Sequence, residues 1–176
     1  DFKGGQLAAN YFISRGHRSV AFIGPTMKYN GVIRHRFDGF ASVLRVNGME
    51  VRSEHIFEIK SDVRQEAIIA LGKHIASMKK EFSAIFITSD QIASYIVQGL
   101  ISEGVSVPDE MSVIGFDNLE ICRQISPQLT TIAQDLNQKA HFAVSTLFQR
   151  LTDSSLPAQS MVLDVELVER ASVAQK

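Results

Sequence analysis

The feature that most constrains this chain is an alternation of short apolar runs with longer segments whose apolar residues recur at helical spacing. The short runs, predicted as strands, are 20–23, 55–59, 84–87, 112–118, 129–132 and 161–168. Helical segments separate them, at 1–16, 33–46, 62–75, 91–103 and 136–151. Because crossovers between parallel strands are right-handed, this alternation predicts an α/β fold with a parallel, doubly wound sheet covered on both faces. The last run alternates apolar and polar residues, which is typical of an edge strand.

The stretch from Ser112 to Asn118 predicts where a ligand would bind on such a sheet. Its apolar residues end at Gly115-Phe116, and Asp117 follows directly. In open parallel sheets the ligand crevice lies outside the carboxyl ends of the strands, so Asp117 is placed to accept hydrogen bonds from a small molecule. Asp and Asn also favour turns, and a structural role for Asp117 in the turn stays open at this point.

Composition excludes several classes of protein. The chain has 176 residues, of which 45% are hydrophobic, and a net charge of -1, so it builds a core and offers no global basic field for nucleic acid. Its single cysteine, Cys122, excludes an internal disulfide and fits a reducing, cytoplasmic compartment. The five histidines lack metal-ligand spacing, and we expect neither a metal nor a cofactor.

Enzyme motifs are missing as well. Gly24-Pro25-Thr26 lacks the later glycines and lysine of a phosphate-binding loop, and the chain contains no Gly-x-Ser-x-Gly nucleophile elbow. We therefore expect a protein that is not an enzyme. The chain also opens without Met, secretory signal or membrane-length apolar run, which suggests a fragment of a longer protein that is not membrane-bound.

Three charged residues have both a structural and a functional interpretation. Arg34 and Arg36 stand in the first turn of a predicted helix, where the helix dipole disfavours cations, so they either serve solvation or bind something. Asp90 follows a predicted strand and either caps the next helix or contacts a ligand.

Several short motifs, taken together and in order, resemble the effector-binding domain of the lactose and galactose repressor family of bacterial transcription regulators. They are Arg15-Gly16-His17-Arg18, Arg36-Phe37-Asp38-Gly39-Phe40, Ser89-Asp90, Val107-Pro108, Val113 to Asn118, Pro127 to Ile132, and Leu167 to Ser172. The resemblance implies a periplasmic-binding-protein-like (type I) architecture of two subdomains with an effector in the cleft between them. It implies that residues 17–133 and 161–176 form the C-terminal subdomain. Residues 1–16 and 134–160 would belong to the N-terminal subdomain, and the DNA-binding helix-turn-helix would lie outside this chain.

The same resemblance implies the site residues. The family's effector-binding arginine falls on Arg36 and its aspartate on Asp117, which together can grip vicinal hydroxyls of a sugar. Ser89 stands where the family often has an effector-contacting Asn, and its shorter side chain suits a water-mediated contact. Asn30 and Lys60 stand at positions that line the cleft in relatives.

A dimer and a mechanism are implied too. Relatives dimerise through a face that here includes Ile92, Tyr95 and Ile125, although helical apolar stripes also serve as ordinary core. Effector binding would shift the two subdomains and thereby the spacing of two DNA-reading heads in a homodimeric repressor. The alternative is the periplasmic sugar-binding receptor of a transporter, which has the same fold and a similar Gly-Phe-Asp motif. The identity of the effector, and whether it releases or recruits DNA binding, stay open.

Overall fold

The structure is a computed structural model that describes residues 1–27, 31–60 and 62–176. Within these residues, six strands form one sheet: β1 (Val20–Pro25), β2 (Ile56–Ile59), β3 (Ala84–Ile87), β4 (Ser112–Asp117), β5 (Thr130–Gln134) and β6 (Val165–Val168). Their order across the sheet is β2-β1-β3-β4-β5-β6. The first five strands pair in parallel, and β6 pairs antiparallel with β5 at the edge. The predicted parallel α/β sheet is confirmed.

Helices cover both faces of the sheet. The described residues contain six α-helices, of which α1 and α2 cover one face of the sheet and α3 and α4 cover the other: α1 (Phe2–Ser14), α2 (Val32–Val46), α3 (Gln65–Ala76), α4 (Asp90–Ser102), α5 (Ile121–Gln124) and α6 (Leu136–Thr152). Successive strand residues point to opposite faces, so Phe86 and Phe116 pack with α1 and α2, while Ile85 and Ile87 pack with α3 and α4. None of the helices in the described residues is long and apolar enough to cross a membrane.

Strand β6 is shorter than the predicted 161–168. Its first residue, Val165, pairs with Gln134, the last residue of β5. Because β5 ends there, residues 161–164 have no strand beside them to complete a ladder. The predicted strand is therefore correct for residues 165–168 and wrong for residues 161–164, which lie past the end of β5.

Helix α1 differs from the expectation that residues 1–16 belong to the other subdomain. It packs along α2, and its residues Ala8 and Phe12 are buried in the same core as the sheet. Two glycines permit this close approach: a Cβ on Gly5 would lie 2.0 Å from the carbonyl oxygen of Arg36, and one on Gly39 would lie 2.0 Å from that of Phe2. Residues 2–14 are instead part of the layer that α2 forms on this sheet.

Helix α6 behaves differently from α1. It has no buried residue, and its apolar side chains Val144, Leu147, Phe148 and Leu151 are exposed. The assignment of residues 134–160 to a second subdomain remains a prediction, with which this exposed apolar surface is compatible.

Candidate functional site

The end of strand β4 is a tight, left-handed turn. Asp117 and Asn118 have φ angles of 108° and 56°, which non-glycine residues adopt rarely. Such conformations cost on the order of 1 to 3 kcal/mol each and persist where surrounding contacts fix them. Here Asn118 Oδ1 accepts a hydrogen bond from Arg170 Nη2 (2.7 Å), and the next backbone amide, Leu119 N, donates to Asp90 Oδ2 (2.8 Å). Asp117 is therefore part of a turn, and that turn directs its side chain towards Arg36.

The guanidinium of Arg36 is the cation beside this turn. Arg36 is only 7% exposed, and its Nη1 donates to the carbonyl oxygen of Thr88 at the end of β3 (2.7 Å). Its Nε donates to Asp1 Oδ1 (3.0 Å), and its Nη2 lies 3.9 Å from Asp117 Oδ1. The guanidinium carbon is 3.5 Å from the centroid of the Phe116 ring, a cation–π contact that supports it from below.

Burial and charge pairing have opposite effects on the pKa values of Asp117 and Arg36, and burial is the larger effect for both. Burial raises the pKa of Asp117, while the Arg36 charge and a 2.6 Å hydrogen bond from Gln134 Nε2 oppose that rise. Burial likewise lowers the pKa of Arg36, against the charges of Asp117 and Asp90. Within the described residues, Nη2 has no hydrogen-bonded acceptor and faces Asp117 across a gap too long for a good hydrogen bond. A ligand hydroxyl lying to one side of this pair, about 2.8 Å from each atom, could accept from Arg36 and donate to Asp117.

A cavity opens next to Asp117. It has a volume of about 730 Å³, and its polar lining includes Asp117, Asn118, Gln134, Asp135, Gln138, Asp164 and Glu166. A smaller cavity of about 280 Å³ shares Gln134, Asp135, Asp164 and Val165 with it and extends to Asp1 and Lys139. Most of these polar groups accept hydrogen bonds, which suits a ligand rich in hydroxyl or N–H donors.

The predicted site residues are only partly brought together. Arg36 and Asp117 converge, and Ser89 lies half-buried directly after Thr88, whose carbonyl Arg36 contacts. Lys60 is exposed just after β2, the edge strand farthest from β5 and β6. Asn30 lies outside the described residues.

Two residues of the site were missed. Asp1 is the N-cap residue of α1, but its side chain makes no capping bond and instead accepts from Arg36. Gln134 ends β5 one position after Ala133, the register partner of Asp117, so the parallel pairing of β4 and β5 brings its amide to the carboxylate. Phe116 is fully buried, as expected of a packing residue, yet it also supports the guanidinium.

A buried polar cluster lies behind the turn. Asp90, the first residue of α4, has no exposed surface and accepts from Thr131 Oγ1 (2.6 Å) as well as from Leu119 N. Burial raises the pKa of Asp90, and hydrogen bonds from Thr131, Cys122 and Leu119 oppose this. Burial and the Asp90 carboxylate raise the pKa of the Cys122 thiol to about 12, which makes a reactive thiolate there unfavourable.

The predicted dimer residues lie on a separate surface. Ile92, Tyr95 and Ile125 are half-buried and pack against the core on the α3–α4 side. Tyr95 and Ile125 also line a groove of about 690 Å³ between α4 and α5, together with Ile101 and Ile121. We call the surface formed by these five side chains the α4–α5 surface.

Several known proteins are similar to this chain in sequence and in fold. Residues 9–173 match the family model of the periplasmic binding protein-like domain. The HTH-type transcriptional repressor PurR of Photorhabdus laumondii is 34% identical over 173 residues, covering 98% of this chain and 50% of the relative. A LacI family transcriptional regulator from Enterococcus faecalis, solved with bound ribose, has a TM-score of 0.84 and 30% identity, covering 99% of this chain and 61% of that one. A Bacillus cereus regulator at 23% identity and TM-score 0.88 shares the fold.

The fold, the Arg36–Asp117 pair at the carboxyl ends of the strands and the family model together define a periplasmic binding protein-like domain. The chain belongs to that family, in the form that LacI family transcriptional regulators carry. It spans about half the length of the curated repressors that it matches.

Proposed function

We propose that this chain is the effector-sensing part of a cytoplasmic, DNA-binding transcriptional repressor, and that its effector is a small molecule, most simply a sugar. The observation that carries the proposal is the convergence of Arg36 and Asp117 at the carboxyl edge of the sheet, beside a cavity of about 730 Å³. Cavities of roughly 300 to 1,000 Å³ are typical of small-molecule sites. A similar regulator with bound ribose supports the choice of a sugar.

The chemistry of the site suits vicinal hydroxyl groups. A planar guanidinium donates in parallel directions, a carboxylate accepts at two oxygens, and a sugar hydroxyl both donates and accepts. Arg36 is already held in one orientation by Thr88, Asp1 and Phe116, so binding would cost little side-chain entropy. Ser89, Asn30 and Lys60 remain proposed contacts, with Ser89 acting through water.

Regulation would follow from a population shift. Effector binding favours one arrangement of this half of the cleft and the half supplied by other parts of the protein. A homodimer formed through the α4–α5 surface would transmit that arrangement to DNA-binding segments outside this chain. Only binding free energies are needed, and no catalysis.

A periplasmic sugar receptor is the second candidate, because it would share the fold. The curated relatives at 32 to 34% identity are transcriptional repressors, which favours the regulator. In the intact protein, a DNA-binding segment favours the regulator and an export signal favours the receptor.

A thermal-shift screen of the intact protein tests the effector class. We expect ribose, glucose, sucrose or cellobiose at millimolar concentration to raise Tm, because a ligand that binds only the folded state stabilises it. Nucleosides and phosphorylated sugars serve as the comparison set. A rise in Tm with those compounds alone would contradict the assignment to simple sugars.

A further inference from the structure

Asp90 is a fully buried carboxylate whose place in the fold is not explained by capping. The helix α4 begins at Asp90 itself, and the preceding Ser89 is its N-cap. The side chain of Asp90 instead crosses to two other elements, where it accepts from Leu119 N beyond β4 (2.8 Å) and from Thr131 Oγ1 on β5 (2.6 Å). Asp90 thus links three neighbouring elements: the start of α4, the turn after β4, and strand β5.

Strand β4 is built to admit this carboxylate. A Cβ on Gly115 would lie 2.2 Å from Asp90 Oδ1, so any other residue at this position would collide with it. Gly115, which lies two residues before Asp117, is therefore required at this position because it leaves room for the Asp90 side chain.

The hydrogen bond to Leu119 acts on the turn that aims Asp117. Leu119 directly follows Asp117 and Asn118, the two residues with positive φ angles. Asp90 fixes the backbone on the far side of that turn, while Arg170 fixes the side chain of Asn118. Without a fixed amide at Leu119, the turn could relax towards ordinary φ angles, and Asp117 would swing away from Arg36.

We propose that Asp90 is a positioning residue of the effector site, which holds Asp117 in its binding orientation through the Leu119 amide. The inference rests on the proposed function, since it assigns Asp117 to effector binding. Asp90 itself does not touch the effector. It supplies a fixed backbone position, in the way that rigid supporting contacts preorganise other binding sites.

Three substitutions separate positioning from general stability. Asp90→Ala removes the hydrogen bonds from Leu119 N and Thr131 Oγ1, and Asp90→Asn keeps an acceptor for Leu119 and can donate to Thr131. Thr131→Val removes the other partner of the same carboxylate but leaves the Leu119 bond intact. If Asp90→Ala does not fold, Asp90→Ser replaces it, because a serine hydroxyl is too short to reach the Leu119 amide.

The test combines amide hydrogen exchange with ribose titration of the intact, ¹⁵N-labelled protein. Asp90→Ala is expected to lower the protection of the Leu119 amide and the ribose affinity by about tenfold or more each. Asp90→Asn and Thr131→Val are expected to stay within about threefold of the parent in both measurements. Loss of affinity in Thr131→Val equal to that in Asp90→Ala, or an unchanged Leu119 amide in Asp90→Ala, would overturn the proposal.

Failure of the proposed effector class would look different. If the parent protein does not bind ribose, the sugar assignment loses its support, but the exchange arm still decides whether Asp90 holds the turn. An unprotected Leu119 amide in Asp90→Ala with protection kept in Thr131→Val then supports the positioning role. Equal protection in both variants contradicts it.

Discussion

The guanidinium of Arg36 lies on the ring of Phe116, with its carbon 3.5 Å from the ring centroid. The two residues come from α2 and β4, and Phe116 immediately precedes Asp117. Because side chains alternate along a strand, Phe116 points into the α1–α2 side of the core, where the face of its ring contacts Arg36. Strand β4 therefore contributes to both halves of the candidate site: Phe116 supports the guanidinium of Arg36, and the next residue, Asp117, supplies the carboxylate.

Replacing the Phe116 ring is expected to weaken effector binding in addition to destabilising the core. Phe116→Leu keeps an apolar side chain but removes the aromatic face, which should reduce effector affinity by about 1 kcal/mol. Phe86→Leu is the matched control, since Phe86 is buried in the same cluster, 6.4 Å from Phe116 between centroids. Calorimetry should find the control close to parental affinity. Equal losses of affinity in the two variants would remove the specific role of the Phe116 ring.

Gly115→Ala should destabilise the protein by roughly 1 to 3 kcal/mol, as expected for overpacking a tight core. The added Cβ would stand 2.2 Å from Asp90 Oδ1. Combining it with Asp90→Ser should make the two losses less than additive, because the colliding carboxylate is then gone. Urea unfolding of the four proteins measures this coupling, and strictly additive losses would show that the collision is relieved elsewhere.

His17 should make the protein sensitive to mild acid. Its ring is fully buried, with Nδ1 2.7 Å from Ser83 Oγ and Nε2 3.2 Å from the Ala174 carbonyl oxygen. Burial, helped by the Lys176 charge, lowers the pKa of His17 from 6.5 to about 4, while the Ala174 carbonyl opposes the shift. Between pH 6.5 and about 4, His17 is therefore protonated in the unfolded chain but neutral in the folded chain. The contribution to stability is complete above pH 6.5 and is lost as the pH falls towards 4.

The size of this effect follows from the lowered pKa of His17. Between neutral pH and about pH 4.5 the His17 contribution to the free energy of unfolding should fall by about 2 to 3 kcal/mol. Urea unfolding at both pH values should show a smaller fall in His17→Gln than in the parent, whereas the exposed His74→Gln should match the parent. Identical pH dependence in parent and His17→Gln would exclude His17 as the source.

The α4–α5 surface is the proposed dimer interface. Ile125→Asp places a charge in its groove and should lower the sedimentation coefficient from that of a dimer to that of a monomer, because an unpaired buried charge is costly. Val46→Asp is the control, since Val46 is 88% exposed at the end of α2, on the other side of the sheet. An oligomeric state unchanged by Ile125→Asp would remove this residue from the interface.

Much of this site could be predicted from sequence, for definable reasons. Asp117 follows an apolar run directly, so the rule that ligands bind outside the carboxyl ends of parallel strands makes it a candidate, and the family resemblance was needed to prefer this role over a turn role. Arg36 needed the family resemblance, because its place in the first turn of a helix is also compatible with simple solvation. The geometry brings it to 3.9 Å from Asp117 through the docking of α2 on the sheet, which periodicity alone does not specify.

The missed residues depend on contacts between elements that are distant in sequence. Asp1 reaches Arg36 because α1 packs tightly on α2 through Gly5 and Gly39, whereas the family resemblance implied that this helix belongs to another subdomain. Asp90 stands at a helix start, where the preference of Asp for caps masks its bonds to Leu119 and Thr131. Such roles become visible only when the strands and their connecting turns are placed side by side.

The most direct test is calorimetry of the intact protein with the sugar that raises Tm most, comparing the parent with Arg36→Ala, Asp117→Ala and the control Arg34→Ala. Arg34 is the matched control because it is an exposed arginine in the same helix, paired to Asp38 at 2.9 Å. Arg36→Ala and Asp117→Ala should each weaken binding by on the order of 2 to 5 kcal/mol, since each leaves a buried polar partner unpaired. Arg34→Ala should leave the affinity unchanged. Parental affinity in folded Arg36→Ala or Asp117→Ala would contradict the effector site described for this cleft.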